Sequence, residues 1–467
     1  MSNPHSHFAA KKTQYIEKLK ELAQIPSISS SDDNREDVAA CAAKVAGYMQ
    51  EVGLSNVELI NIEGALPYVY GEWIGGKDSP LSGGETLPTV LLYSHYDVQP
   101  VGDEQLWESA PFMPEERKGR LYGRGTSDDK AGIIAHLAAI DSYLKTTGKL
   151  PVNIKCIFEG EEEIGSVNLE KLLAKYSKKL QADYIVIADT ENFGDGIPGI
   201  TTQLRGLVDC EIELHALSQP LHSGQFGGPI PDPVQELVKL ISKLTDKDGK
   251  IAVPGIYADI KKLSASERAA LKKLPFNEKQ YRAHAHMLSG TKFAGEKGYT
   301  VYEQIWHRPA LSVNAIQASS RAQVSNIITA SAWAHLGIRL VPNMNPKKTL
   351  NQLIKFLKAN APKNMKLEIM PGHSVSWWSA NTKSPALQAA ARAMKKGFGK
   401  DAVMMGSGGS IGFVEPFSRA LNNAPALLMG IEDPECNAHS YNESLHIANW
   451  YKTVDSMIYL YEELAKN

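Results

Sequence analysis

The sequence predicts an α/β protein: a mainly parallel sheet covered by helices on both faces, interrupted by an inserted α+β domain. Three observations carry this. Between residues 56 and 189, short apolar stretches alternate with amphipathic stretches of helical period, the pattern of strand–helix–strand units. After about residue 204 the texture changes, and 207–214 alternates as a half-exposed strand should. From about residue 376 the first texture returns. The α/β domain is therefore expected in two parts, 1–206 and 376–467, around an insertion at 207–375, which is of ordinary domain size.

In chain order, residues 8–22 have helical spacing and stop before Ile25 and Pro26, because a residue ahead of proline avoids the helical region. Ser31, Asp32 and Asp33 supply a cap and first-turn acids to a second helix, which buries Val38, Cys41, Val45 and Met49 and ends at Gly53. Residues 56–62 and 68–74 read as strands. A Gly/Ser/Pro-rich loop at 75–88 leads to the apolar strand 90–93, with His95 and Asp97 at its end. Residues 119–132, GRLYGRGTSDDKAG, form a glycine-rich loop that runs into a helix at 131–144. Strand 152–158 ends in EGEEEIGS, a helix follows to about residue 176, and strand 184–188 ends at Asp189. The insertion is expected to hold strand 207–214 and helix 231–244, with proline near its start. A Lys-rich connection, strands at 327–333 and 337–341, a helix from Asn345 to about residue 357 and strand 366–370 complete it. Helix 385–396, strand 426–429 and helix 447–465 close the α/β part.

Composition excludes several classes. A chain of 467 residues is too long for one ordinary core, and 43% hydrophobic with 22% charged residues is the balance of a soluble globular protein. A net charge of -2 gives no reason to expect nucleic acid or an anionic membrane as partner. Cys41, Cys156, Cys210 and Cys436 lie far apart without a CxxC pair, which suits a reducing compartment rather than a disulfide framework. MSNPHSHFAAKKTQ has no apolar signal-like run, and no stretch is long enough to span a bilayer. The expectation is a cytoplasmic, multidomain enzyme.

His95 and Asp97 are two apart, so on an extended chain they point to one side, and a carboxylate is the usual partner that orients a ligating imidazole. Each chemical group has an ordinary reading. His95 and Asp97 could simply end a strand, Asp128 and Asp129 could cap a helix, Glu162 and Glu163 could sit on a solvated turn, and Asp189 is a common turn residue. What outweighs these readings is coincidence. His95, Asp128, the Glu162–Glu163 pair, Asp189 and His439 all follow strands or loops, and carboxyl ends of parallel strands face one crevice. Two imidazoles with carboxylates and no thiolate suit two divalent ions of the zinc, cobalt or manganese type. Ions about 3.5–4 Å apart need a shared carboxylate. Asp128, on the turn before a helix, is the best placed.

SHYDVQP, the pair Pro111 and Phe112, GRLYGRGTSDDKAG, EGEEEIGS, IAD, LHSGQFGG, IRLVPN, GGSIG and AHSYNES follow one another along the chain. This series resembles the dinuclear-metal peptidase family of carnosinase, cytosolic nonspecific dipeptidase, aminoacylase and succinyl-diaminopimelate desuccinylase, and is most similar to the dipeptidase branch. The resemblance implies a dimetal hydrolase domain carrying an inserted lid and dimerisation domain. It implies one metal on His95, Asp128 and Asp189, and a second on Asp128, Glu163 and His439. Zinc is the first choice, with manganese or cobalt also fitting. Asp97 would hold His95, and Glu162 would be the general base, its register fixed by the following Ile164-Gly165-Ser166. His222 in PLHSG would reach the neighbouring subunit of a homodimer and stabilise the oxyanion. Arg339 would pair with a substrate carboxylate, with Gly408, Gly409 and Ser410 at the same end and Asn326 as a small polar contact.

Departures bear on substrate. The dipeptidases of this family carry Arg-Glu before Gly-Gly-Ser, and that Glu clamps the free amine; here the pair is Gly406-Ser407. Ile411-Gly412 replaces Ile-Pro, and Thr329 stands where a proline is expected. Loss of one charge-assisted hydrogen bond costs a free-amine dipeptide about 1.5–3 kcal/mol. The reading is therefore a two-metal peptidase acting on dipeptides or small peptides with a free C-terminal carboxylate, with an N-acyl amino acid deacylase as the alternative. A nucleotide loop at Gly123 lacks its third glycine. A catalytically idle metal-binding dimer would not require Glu162 beside a ligand.

Overall fold

The computed structural model describes residues 3–75 and 87–466, so the loop expected at 75–88 lies largely outside the described residues. The chain forms two compact units. One comprises Met1–Thr202, Ala380–Met405 and Phe413–Asn467; the other comprises Gln203–Ser379 and Gly406–Gly412.

The first unit is built on a sheet ordered Ser55–Ile60, Tyr68–Trp73, Asn153–Glu159, Thr89–His95, Tyr184–Ile187, Ala426–Met429 and Gly199–Leu204. The four strands from Asn153–Glu159 to Ala426–Met429 are mutually parallel. Their flanks run antiparallel, so the sheet is mixed around a parallel centre. The reason is connection length: the segment joining Ser55–Ile60 to Tyr68–Trp73 is too short for a parallel crossover. Register puts Leu92 beside Cys156 and Val186, with Tyr93 beside Ile157 and Ile187, all buried. Central parallel strands are covered on both faces, which is why these stretches read as continuous apolar runs.

On one face, Val90, Leu92, Ile154 and Cys156 share a core with helices Pro4–Ala23, Arg35–Val52, Lys130–Thr147, Pro385–Phe398 and Ile447–Leu464. Each large apolar side chain fully buried here contributes roughly 1.5–3 kcal/mol. On the other face, Tyr93 packs against Phe413 and Phe417 with ring centroids 4.1 and 6.0 Å away. Helix Leu169–Leu180 lies on that side too, its last carbonyl groups accepting from Lys155 Nζ. Gly132 fixes how helix Lys130–Thr147 meets the sheet: a Cβ there would fall 2.3 Å from Asp129 Oδ1 and 2.6 Å from Ser94 Oγ. Only glycine allows this helix start to approach the end of the His95 strand.

The second unit has an antiparallel sheet ordered Ala310–Gln317, Ser331–Leu340, Gly206–His215 and Lys366–Val375. Val208, Cys210, Ile212 and Leu214 face helices Pro233–Ser242 and Pro346–Asn360 through Leu237, Leu240, Leu353 and Leu357. Asp209, Glu211, Glu213 and His215 alternate to the other face, as a period of two requires. Two expectations are corrected. The strands expected at 327–333 and 337–341 are one strand, Ser331–Leu340, preceded by the short Ile327–Ile328. Strand Ala310–Gln317 is an additional edge strand, mostly exposed, and it lacks the alternation that would have marked it. The Lys-rich connection is itself helical at Ala265–Lys273, Glu278–His284 and Val301–His307, and capping boxes open the first and last of these at Ser264/Glu267 and Thr300/Glu303.

Candidate metal centre

Four parallel strands deliver the chemistry to one end of the sheet. His95 is the last residue of its strand, Asp189 follows Tyr184–Ile187, and the Glu162–Ile164 turn follows Asn153–Glu159. Asp128 precedes helix Lys130–Thr147, and His439 lies in the loop after Ala426–Met429. These residues meet as two groups of three: His95, Asp128 and Asp189, and Asp128, Glu163 and His439.

Asp128 belongs to both groups through different oxygens. Its Oδ1 is 3.0 Å from His95 Nε2, and its Oδ2 is 3.0 Å from His439 Nε2. Asp189 Oδ1 is 3.6 Å from His95 Nε2, and Glu163 Oε2 is 3.1 Å from His439 Nε2. Gln99 Nε2 donates to the same Glu163 oxygen at 2.8 Å. The other ring nitrogen of His95, Nδ1, lies 3.1 Å from the Asp97 carbonyl and 3.4 Å from Asp97 Oδ1.

Asp97 does more than the expected holding of His95. Its two oxygens accept the backbone N–H groups of Glu162 at 3.2 Å and Glu163 at 3.0 Å. One buried carboxylate thus ties the His95 strand to the turn bearing the general-base candidate. Glu161 anchors the same turn from behind, accepting from Tyr68 Oη, Leu66 N, and the backbone and side-chain nitrogens of Asn168 at 2.9–3.1 Å. Asp129 Oδ2 accepts His95 N at 3.2 Å.

The electrostatics fit divalent cations. Burial pushes the carboxyls of Glu162 and Asp189 upward, and that of Glu163 to about 7. Hydrogen bonds to Asp128 and Glu163 raise His439 to about 11. Burial opposes charge on His95, yet its bonds to Asp128 and Asp189 prevail and raise it well above the usual imidazole range. A set of buried carboxylates this short of positive charge draws protons onto itself, and divalent cations relieve the same demand. The donors are imidazole nitrogens and carboxylate oxygens, the set that zinc, manganese and cobalt accept.

Two further pairs of sequence-predicted residues meet in the second unit. His222 ends the short strand Leu221–His222, paired with Ile327–Ile328, and the carbonyl of Asn326 accepts Ser223 N at 3.0 Å. The His222 ring is exposed, with Nδ1 accepting Gly224 N at 3.0 Å. Arg339 donates from Nη1 to Ser410 Oγ at 2.8 Å. Gly409 N donates to Ser407 Oγ at 3.1 Å. At Gly406 a Cβ would lie 2.7 Å from Trp306 Cγ, so helix Val301–His307 occupies the space a side chain would need.

Sequence reasoning missed Glu161, Gln99, Trp306 and the residues that support Asp128. The available signals were the acid directly before Glu162 in EGEEEIGS and Glu443 in AHSYNES.

The chain is 31% identical to the Cys-Gly metallodipeptidase DUG1 of Candida albicans over 469 residues, covering 96% of this chain and 95% of that protein. It is 32% identical to the Beta-Ala-His dipeptidase of Homo sapiens over 391 residues, covering 82% of this chain and 76% of that protein. The crystal structure of human carnosine dipeptidase 1 superposes with a TM-score of 0.83 at 28% identity, covering 99% of this chain and 98% of that one. The structure of the di-peptidase Dug1p from Saccharomyces cerevisiae does so with a TM-score of 0.83 at 27% identity over all of both chains. The signature of Peptidase family M20/M25/M40 matches residues 91–463, and the chain belongs to that family.

Proposed function

We propose that this chain is a two-metal dipeptidase in which His95, Asp128 and Asp189 hold one divalent ion and Asp128, Glu163 and His439 hold the other. The observation that carries this is the division of Asp128, one oxygen toward each imidazole at 3.0 Å, with the half-buried Glu162 on the turn that bears Glu163. Bound divalent ions would supply Lewis-acid polarisation of the scissile carbonyl and increase the acidity of the attacking water. Zinc is the first choice of metal.

The chain's own residues do the rest. The Glu162 carboxylate takes a proton from the attacking water and passes it to the leaving nitrogen, so one group serves as base and then as acid. Asp97 fixes the backbone of that turn, which keeps the Glu162 carboxylate from wandering. His222 donates to the carbonyl oxygen as it gains charge, acting across a homodimer from the lid unit 207–375. Arg339, with Ser410 beside it, takes the C-terminal carboxylate of the substrate, Gly408 and Gly409 lie at the same end, and Asn326 is a small polar contact to the substrate. The setting is cytoplasmic; among the described residues no helix is long and apolar enough to cross a membrane.

One observation favours a second reading, an N-acyl amino acid deacylase: Gly406 and the Trp306 wall leave no carboxylate there to clamp a free amine. The names of the relatives favour free dipeptides of the Cys-Gly or β-Ala-His kind. A paired panel decides: Xaa-Yaa dipeptides against their N-acetyl and N-succinyl forms, after reconstitution with zinc or manganese. Faster turnover of free dipeptides is expected. Preference for acylated substrates would move the assignment to the deacylases, and no turnover of either set would overturn the hydrolase reading.

A further inference from the structure

Asp128 and His439 come from distant parts of the chain, and the loop bearing His439 has an unusual backbone. Asn437, His439 and Asn442 all sit in the left-handed region, with φ of 53°, 61° and 58°. A histidine there costs energy unless its surroundings enforce it.

Two arginines of the glycine-rich stretch grip that loop at both ends. Arg120 donates to both oxygens of Asp433, at 3.0 and 2.8 Å, and to Ser444 Oγ and O at 2.8 and 3.0 Å. Arg124 Nη1 donates to Glu443 Oε2 at 2.7 Å. The other oxygen of Glu443 accepts the backbone N–H groups of Ser127 at 3.0 Å and Asp128 at 3.1 Å. Gly123 N donates to the Glu443 carbonyl at 2.9 Å. Short strands Arg120–Tyr122 and Ser444–His446 pair directly. The side chains of Arg124 and Glu443 are 2% and 0% exposed, so the pair is shielded from water and salt.

We infer that Glu443 is a positioning residue for the shared carboxylate, with Arg124 as its charge partner. The pair fixes the backbone of Asp128 and couples it to the loop carrying His439, so the shared ligand is preorganised before metal binds. This rests on the reading of Asp128 and His439 as ligands. Glu443 is a member of neither ligand group and its side chain is fully buried; it acts through the peptide N–H of Asp128. Because Asp128 serves both groups, a displaced Asp128 weakens both ions together, whereas a ligand of one group weakens chiefly its own.

The test measures zinc affinity at both sites of the full-length, metal-stripped protein by competition with a chromogenic chelator. The melting temperature of the metal-free form is measured alongside. Glu443→Gln keeps the shape and removes the charge; the expected result is a parallel loss of about 10–100-fold at both sites. Arg124→Lys keeps a charge without the planar fork, and a smaller parallel loss is expected. His439→Ala is the reference and should cripple one site chiefly. If Glu443→Gln leaves both affinities within twofold while His439→Ala loses a site, the positioning role is wrong and the metal assignment stands. If His439→Ala also leaves both sites intact, the metal assignment fails and this inference with it. Should Glu443→Gln not fold, Arg124→Lys carries the decision alone, and unchanged affinities at both sites overturn the proposal.

Discussion

The chain assembles the same donor types twice, with different results. In the first unit, His95 meets Asp128 and Asp189; in the second, His215 Nε2 lies 3.6 Å from Glu213 Oε2 and 3.6 Å from Glu368 Oε2. Inter-atomic distances alone do not separate them, since Asp189 is also 3.6 Å from its imidazole. Surroundings do. The His95 side chain is fully buried, while His215 and Glu368 are 32% and 48% exposed. Behind the first group stand Asp97, Asp129 and Glu443, each fastening a ligand-bearing segment by its backbone amides. In the second group the partners are a hydroxyl, Ser331 Oγ on Glu213, and a cation, Lys366 Nζ at 2.5 Å from Glu368. Lys366 already supplies positive charge that a metal ion would bring, and water hydrates the rest. A site is made by desolvation and backbone anchoring as much as by ligand type.

The largest test of that contrast is Glu162→Gln. If the Asp97-anchored turn exists to present a proton acceptor, kcat should fall by about 10²–10⁴-fold while both ions stay bound. Metal content by elemental analysis and turnover of a dipeptide are the measurements. Near-normal turnover would assign the base elsewhere, and loss of metal would make Glu162 a ligand. Next in size is His222→Ala, with an expected fall of about 10²–10³-fold in kcat. Mixed dimers with a metal-site variant should recover part of the activity if the imidazole works across subunits. Absence of recovery would place its role within one subunit.

The same contrast explains what could be read from the sequence. His95, Asp128, the Glu162–Glu163 pair, Asp189 and His439 were legible as one converging set because strand ends of a parallel sheet share one edge, whereas the choice between the two glutamates came from the family resemblance. The parallel centre was legible for the same reason: Val90 to Tyr93 and Ile185 to Ile187 are apolar without alternation. The antiparallel flanks were not, since pairing direction depends on connection geometry. Strand Ala310–Gln317 escaped because an exposed edge leaves no apolar period to find. Glu443 and Arg124 escaped for a different reason: a buried pair joining distant segments has no local period or spacing, and only the fold shows that they meet.

Glu463 stands between the two clusters in kind, a buried carboxylate with exposed partners. Its hydrogen bonds to Lys396 and Arg392, at 2.7 and 2.6 Å, hold it below the usual carboxylate range at about 2. A carboxyl whose folded value is depressed contributes stability above its unfolded value, and that stability is lost as pH falls toward the folded one. The window is therefore from about pH 4.5 down to about 2. Screening of the exposed lysine and arginine limits the contribution to about 1–2 kcal/mol. Glu463→Gln should lower the denaturant midpoint at pH 7 and converge with the parent protein as pH falls through that window. A difference that persists undiminished at the acid end would mean that packing, not charge, is what Glu463 supplies.

The smallest expected effect is the sharpest check on the comparison. His215→Ala removes the only imidazole of the second group while leaving Glu213 on Ser331 and Glu368 on Lys366. If burial and anchoring make the difference, this variant should bind zinc with unchanged stoichiometry and turn over a dipeptide within about twofold of the parent, as substitutions away from special features usually do. Loss of one tightly held ion per chain would show that a half-exposed triad with a lysine beside it can compete with water for a divalent cation. The contrast would then have to be redrawn around donor type alone, because neither desolvation nor amide anchoring is available on that face of the sheet.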